Sequence, residues 1–191
     1  CILLIIVPLT LFLSLLVKPV WTLFYGTSTY GPIVYKMFVF AALFGGFYSI
    51  VVNTLQGLNK YKLVITTVLI GLVINTVLDV PFMLISHNLG FDVSYGAIVA
   101  AMLGYSTSII ISLIVLNKKY GFKFTDTAKR LPRYIVSWSA FIIVITLLKL
   151  IIPTNLHGRL VQIPVLAVFG VISFGVYILI NYKNGNLTEI I

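Results

Sequence analysis

Apolar residues run along this chain in six long stretches, which short polar segments separate. A helix that crosses a bilayer needs roughly 20 mostly apolar residues. The stretches therefore predict six membrane-spanning helices, A to F, at about 1–17, 32–55, 62–84, 94–116, 132–152 and 160–181. Pro8 predicts a kink in helix A. The expected fold class is an all-α integral membrane protein.

The composition supports the same class. Of the 191 residues, 60% are hydrophobic and only 9% are charged, whereas a soluble domain carries about 25% charged residues. The net charge of +9 would suit a nucleic-acid partner, but the charges lie at the ends of apolar runs and in one loop. That placement is typical of membrane topology and argues against nucleic acid.

The beginning of the chain, CILLIIVPLT, has neither a Met nor the basic start of a signal peptide. We therefore expect an internal or C-terminal piece of a longer protein. Cys1 is the only cysteine, which excludes an internal disulfide.

Basic residues predict the orientation of the helices, because cytoplasmic loops are enriched in Lys and Arg. The segment between helices D and E, NKKYGFKFTDTAKRLPR, holds six basic residues against one acid, Asp126. This segment should therefore be cytoplasmic. Because successive loops lie on alternate sides of the membrane, nine basic residues are then inside and four outside, and both ends of the chain are in the cytoplasm. The outer four are Lys18, Lys36, Lys149 and Arg159. The inner segment can also attract anionic lipid headgroups, and its residues do not separate the two roles.

Small residues recur every four positions on two helices, a spacing that lets helix backbones approach closely in a membrane. On helix D they are Gly96, Ala100, Gly104 and Ser108. On helix B they are Ala41, Gly45 and Ser49, with Ala42 and Gly46 beside them. We expect both faces to pack tightly against neighbours; a sliding face used in a conformational change is the alternative.

Helix C carries a polar stripe of Thr67, Gly71, Asn75 and Asp79, also four residues apart. A carboxylate at the centre of a spanning helix costs about 2.5–3.5 kcal/mol, so Asp79 should face an interior or a water-filled cavity. One hypothesis is that the stripe lines a polar cavity where Asp79 binds a cation, a proton or a polar headgroup. The other is that Pro81 ends the helix and water reaches Asp79 at its outer end. Sequence alone leaves both open.

Motifs of catalysis and metal binding are absent from the chain: HExxH, CxxC, GxSxG and Walker sequences do not occur. The acids are not spaced for general acid and base work. His87, Asp92 and His157 fall in short predicted outer loops, where a solvated side chain is the ordinary case. We therefore expect a transporter without a metal site or catalytic residues, not an enzyme.

The order of several short segments resembles the C-terminal part of the MOP exporter superfamily. The segments are LQGLNKYK, LIGLVINTVLDVP, YGAIVAAMLGY and NKKYGFKF. The closest resemblance is to its polysaccharide-flippase branch, the MurJ- and SpoVB-like proteins. The QGLNK turn and Asn75 carry most of it, and the pair Gly96 and Ala97 adds to it.

This resemblance implies fourteen helices, of which the chain would supply the last six. Residues 1–117 would be the last four helices of the second lobe, 118–131 a basic cytoplasmic loop, and 132–191 an added C-terminal helix pair. In such proteins the added pair borders a groove for a lipid tail. The candidates on helices E and F are Trp138, Phe141, Phe169 and Phe174, although simple packing or lipid contact also suits such aromatic residues.

The implied function is a flippase for an undecaprenyl-linked cell-wall precursor, in the first place lipid II, working by alternating access in the bacterial cytoplasmic membrane. Its partners would be that precursor, membrane lipids and cell-wall synthesis proteins. No cofactor is implied, and energy would come from a coupling ion (Na⁺ or H⁺) or the membrane potential. The family's headgroup-binding residues lie outside this sequence, so Lys18 and Lys36 are anion contacts by charge alone.

Three other functions stay open. One is a flippase for another lipid-linked polysaccharide unit. A second is a MATE-like cation-coupled multidrug antiporter in which Asp79 would be the coupling site. The third is a membrane scaffold subunit, which would have stable protein partners and no transport of its own.

Overall fold

A computed structural model of the chain describes residues 3–28, 30–122, 125–152 and 159–185, with the side chains of 3, 125–130 and 159 excepted. Within these residues the regular structure is entirely helical. The helices are α1 (Leu3–Leu15), α2 (Val17–Tyr25), α3 (Gly31–Gly57), α4 (Tyr61–Asn88), α5 (Val93–Tyr120), α6 (Thr125–Ile151) and α7 (Arg159–Lys183).

Five of these helices are long and apolar enough to cross a membrane: α3 to α7. Helix α1 has 13 residues and is therefore about 20 Å long, too short for a hydrocarbon core of about 30 Å. Helices α1 and α2 together are long enough to form the sixth predicted span, but their axes are bent by 77°. The described residues thus confirm an all-helical fold of multi-pass type, with helix A broken.

The break comes at Leu16, so the predicted kink at Pro8 is wrong in its position. A proline has no N–H and its ring clashes with the carbonyl four residues earlier. At Pro19 that carbonyl belongs to Leu15, the last residue of α1, and Lys149 Nζ of α6 donates to it at 2.6 Å. The chain therefore bends where Pro19 prevents α1 from continuing.

At Pro8, by contrast, α1 runs on without interruption. The carbonyl deprived of its helical partner is that of Leu4, and the hydroxyl of Tyr177 in α7 donates to it at 2.9 Å. An unsatisfied carbonyl costs several kcal/mol in a bilayer. For both Pro8 and Pro19, a side chain from another helix thus donates a hydrogen bond to the carbonyl that the proline leaves without a helical partner.

The chain divides into two compact units, Cys1–Lys36 with Thr125–Ile191 and Met37–Phe124, and the boundary falls within α3. In the first unit, α1, α2, α6 and α7 surround a core of bulky side chains. Its largest fully buried members are Phe141, Phe169, Leu16 and Ile145. In the second unit, α4 and α5 make the most extensive contact among the described helices. Val51 and Leu55 of α3 pack with Val64 and Leu116.

The turn between α3 and α4 has the hydrogen bonds of a Schellman motif. Asn59 takes a left-handed conformation at φ 57°, its N–H donates to Gln56 O at 2.8 Å, and Lys60 N–H donates to Leu55 O at 2.9 Å. Asn is the usual substitute for Gly in this position. Gly57 is the last helical residue of α3.

Helices α4 and α5 are longer than their apolar runs. Helix α4 continues through Pro81 to Asn88, so the expectation that Pro81 ends it is wrong. Helix α5 begins after Asp92, whose Oδ1 accepts the N–H of Ser94 at 2.8 Å, a typical N-cap. It ends at Tyr120, before Gly121 at φ 67°. Since α6 starts at Thr125, most of the predicted loop 117–131 is helical in backbone.

Candidate functional site

The polar stripe of α4 packs against the small-residue face of α5. A Cβ atom on Gly104 would lie 2.7 Å from the carbonyl oxygen of Gly71 and 3.0 Å from Cβ of Asn75. A Cβ on Gly71 would meet the carbonyl oxygen of Gly104 at 2.8 Å. The two backbones are therefore too close for larger side chains. This contact confirms the tight packing predicted for helix D, whose four small residues are all buried.

Thr67, a predicted cavity residue, lies inside this interface. Its side chain is 2% exposed, and its hydroxyl donates to the carbonyl oxygen of Leu63 at 3.0 Å. Its own carbonyl oxygen accepts the Ser108 hydroxyl of α5 at 2.8 Å. Thr67 and Ser108 thus join the two helices, and Thr67 contacts protein instead of open space.

Asn75 lies farther along the stripe, at a pocket of about 140 Å³ on the α4–α5 pair. Besides Asn75, its polar lining residues are Tyr48 of α3 and Tyr105 and Ser108 of α5. The rings of Tyr48 and Tyr105 are 5.6 Å apart, and the buried hydroxyl of Tyr48 has no hydrogen-bond partner among the described residues. The two tyrosines were not predicted, although a tyrosine beside a small-residue face in mid-span is a usable signal.

Asp79 is half-buried in α4 and is not among the residues that line this pocket. Helix α4 extends nine residues beyond it, to Asn88. If α4 is centred in the bilayer, Asp79 lies about 7 Å from the midplane at 1.5 Å per residue. Its carboxylate is thus far from a helix end, and among the described residues it has no hydrogen bond or ion pair.

Lys18 and Lys36, predicted as anion contacts by charge alone, come together in the first unit. They line a pocket of about 310 Å³ with Lys149 and Ser14. The sequence placed Lys149 on the same outer side but did not single it out. The pocket lies where α1 and α6 end and α3 begins, so these helix ends bring the basic residues together.

The four aromatic residues predicted for a lipid-tail groove belong to the core of the first unit. Phe141 is 1% and Phe169 is 0% exposed, while Trp138 and Phe174 are partly buried against them. The rings of Phe141 and Phe174 are 5.1 Å apart. Packing accounts for these positions, and a contact with lipid tails stays a prediction.

The small face predicted on helix B is not a tight contact in the second unit. A Cβ on Gly45 would have its nearest neighbour, the Tyr105 ring, at 3.9 Å, an ordinary van der Waals distance. Ser49 is exposed and donates to the carbonyl of Gly45 in its own helix. Close packing at Gly45 and Ser49 is therefore not found within the second unit, although Ala41 of the same face is buried.

No cluster of three His, Cys, Asp or Glu side chains able to hold a metal ion occurs in the described part of the chain. His157 lies outside the described residues. His87 is exposed in the last turn of α4.

Comparison with known proteins finds a similar protein that matches this chain along its whole length. The chain is 25% identical over 197 residues to the lipid II flippase MurJ of Bacillus subtilis (strain 168). The chain resembles a lipid II flippase throughout. The alignment covers 100% of this chain and 35% of that protein, so the chain spans about a third of the relative's length.

No protein-family profile matches the chain, and no solved structure matches it. This similarity supports the resemblance to flippases that the short sequence segments indicate. It supports a transporter rather than an enzyme, in a multi-pass membrane protein.

Proposed function

We propose that this chain is part of a flippase that moves an undecaprenyl-linked cell-wall precursor, in the first place lipid II, across the bacterial cytoplasmic membrane. The observation that carries the proposal is the similarity to MurJ along the whole chain. Five long apolar helices, with a sixth span if α1 and α2 count as one, support a multi-pass protein. In the proposed architecture these helices belong to a fourteen-helix protein of the MOP type.

Coupling of alternating access to an ion gradient requires a group that binds the ion, and Asp79 is our candidate. Its carboxylate lies well inside α4 and has no partner in the described residues. Since an ionisable group within a span is functional by default, we propose that it binds a coupling cation or a proton. Unchanged transport by Asp79→Asn and Asp79→Ala in the full-length protein would remove this role.

The same carboxylate favours a second candidate, a cation-coupled antiporter of the MATE type. The two functions differ in cargo: an antiporter exports a small cationic compound, while a flippase moves a lipid-linked diphosphate. Basic residues lining the rest of the full-length protein would favour the flippase, and acidic residues would favour the antiporter.

The test of the proposed function is depletion of the full-length protein in cells that lack a redundant flippase. Exposure of lipid II at the outer leaflet is then measured over time. We expect exposure to fall as the protein is lost and to return with the wild-type gene. Unchanged exposure would overturn the lipid II assignment, and loss of another lipid-linked saccharide would redirect it.

A further inference from the structure

The pocket at the break between α1 and α2 concentrates positive charge. It is lined by Ser14, Leu15, Val17, Lys18, Pro19, Lys36 and Lys149. None of these residues is acidic. Of the four acids in the chain, Asp79 and Asp92 belong to the other unit, and Asp126 and Glu189 have no described side chain.

The three lysines differ in their hydrogen bonds. Lys149 donates to the carbonyl of Leu15 at 2.6 Å, which stabilises the end of α1. Lys18 and Lys36 are exposed, and no carbonyl or carboxylate partner for them is found among the described residues. Like charges that share a pocket repel each other, so a bound anion would lower the electrostatic energy of the group.

Two further donors face the same space. Helix α2 starts at Val17, and its N-cap residue, Leu16, provides no side-chain hydrogen bond. The first N–H groups of a helix have no partner within it and can bind an anion. In α2 these are the N–H groups of Val17 and Lys18, because Pro19 has none and the N–H of Val20 donates to the carbonyl oxygen of Leu16. Ser14 also lines the pocket and is 6% exposed, and no hydrogen bond from its hydroxyl is present in the described structure. The hydroxyl is therefore available as a donor to a ligand oxygen.

The pocket lies close to the ends of two helices that are long and apolar enough to span a membrane, α3 and α6. Lys36 is five residues into α3 and Lys149 is two residues from the end of α6, so both are close to the ends of spanning helices. Trp21 and Tyr25 of α2 stack with ring centroids 4.5 Å apart, and such aromatic residues prefer the headgroup region. The volume of about 310 Å³ is about that of ten water molecules, enough for a phosphate group and part of what carries it.

We propose that this pocket binds a phosphate group, with Lys18 and Lys36 as its charge partners and the start of α2 and Ser14 as hydrogen-bond donors. Its position close to the ends of these two helices favours an anionic phospholipid headgroup as the source of the phosphate, with free inorganic phosphate as the alternative. The proposal does not depend on the flippase function, because binding is measured without transport.

The experiment uses the full-length protein, purified and delipidated in a neutral detergent. Native mass spectrometry measures the dissociation constant of the first bound phosphatidylglycerol, with phosphatidylcholine as the neutral-lipid arm and inorganic phosphate as the competing arm. The test variant is Lys18→Gln with Lys36→Gln. The matched control is Lys62→Gln with Lys183→Gln, which removes two exposed basic residues from the start of α4 and the end of α7.

We expect the test variant to weaken phosphatidylglycerol binding by about twenty-five-fold, since a lysine near an anionic headgroup contributes a factor of about five. The control should change it less than about two-fold, because the larger factor applies to a lysine close to the headgroup and neither control lysine lines the pocket. The variant Lys18→Arg with Lys36→Arg should keep binding and thermal unfolding near wild type, which separates charge from folding. Displacement by inorganic phosphate, with the same lysine dependence, would support the site with free phosphate as its source. Equal weakening by test and control variants, or binding of phosphatidylcholine as tight as that of phosphatidylglycerol, would overturn the site.

Discussion

The two units of this chain hold their helices together in opposite ways. In the second unit, α4 and α5 approach closely because Gly71 and Gly104 have no side chains at the contact. In the first unit, the core is filled by large rings, among them Phe141 and Phe169, and side chains bond to carbonyls that prolines leave free. One contact depends on the absence of side-chain atoms, and the other on their presence.

The difference matters because lipid tails are as apolar as the side chains, so burial alone does not hold helices together in a bilayer. Close backbone packing and interhelical hydrogen bonds do so instead. The second unit relies mainly on the former, with Ser108 to Thr67 as an added bond. The first unit adds Tyr177 and Lys149 as bonds from α7 and α6 to the broken helix. Substitutions that add side-chain atoms should therefore damage the second unit, and substitutions that remove them should damage the first.

The largest effect should come from adding atoms to the α4–α5 contact. Gly104→Leu in the full-length protein would place a side chain against the backbone of α4, and overpacking costs about 3 kcal/mol or occasionally more. We expect strong loss of folded protein in size-exclusion chromatography. Gly175→Leu in α7 is the control, because a Cβ added to Gly175 would meet no neighbouring atom within 4 Å. Equal folding of both variants would contradict the close contact.

Removing atoms should be the damaging change in the first unit. Phe141→Ala would leave a cavity in a core where the ring is 1% exposed. We expect about 2 kcal/mol of destabilisation, less than the roughly 3–5 kcal/mol of water-soluble cores, because lipid also contacts the ring after helix separation. Thermal unfolding measures the effect, with Phe38→Ala, at a site 56% exposed, as control. Equal loss from both changes would argue against a filled core.

A smaller effect should follow from breaking the bond between Tyr177 and Leu4. Tyr177→Phe removes the hydroxyl and leaves the carbonyl opposite Pro8 unpaired, at about 1 kcal/mol. In a Pro8→Ala background the helix supplies its own N–H to that carbonyl. The same tyrosine change should then cost almost nothing. Unfolding measurements on the four proteins give the coupling, and an equal cost in both backgrounds would show that Tyr177 does not compensate for Pro8.

The smallest effect concerns the start of α5. Hydrogen bonds from the side chain and the backbone N–H of Ser94 lower the pKa of the Asp92 carboxyl from its ordinary value of 3.8. A lowered pKa stabilises the folded state above that ordinary value, and the contribution disappears as pH falls through the lowered pKa. The unfolding temperature should therefore drop slightly more on acidification for wild type than for Asp92→Asn, which keeps an N-cap without the titration. Parallel curves of unfolding temperature against pH for the two proteins would show that ionisation of the Asp92 carboxyl does not contribute to stability.

Element type was predictable from this sequence because apolar length alone identifies spans. Helix ends were not, since polar residues such as Lys118 and Lys119 continue a helix that the apolar run predicts to end. The effect of a proline depends on which side chain reaches the freed carbonyl. Tyr177 does so for Pro8 from the far end of the chain, bonding to a carbonyl 173 residues away, a contact that no local pattern reveals.

The candidate site was predictable only in part. The four-residue spacing correctly predicted a tight contact for the small face of α5. The same spacing on α4 predicted that Thr67 lines a cavity, whereas Thr67 lies inside that tight contact. The pattern gives the side of a helix and not what covers it. Lys18 and Lys36 were singled out by charge, whereas their position beside Lys149 depends on the ends of α1 and α6 lying together with the start of α3.

The most direct test of the account is transport by the purified full-length protein alone in liposomes. One set of liposomes carries labelled lipid II, and another carries a cationic dye under a Na⁺ or H⁺ gradient. We predict that lipid II crosses between leaflets and that the dye is not exported. Export of the dye without movement of lipid II would contradict the flippase function and favour the antiporter, and movement of neither would favour a scaffold.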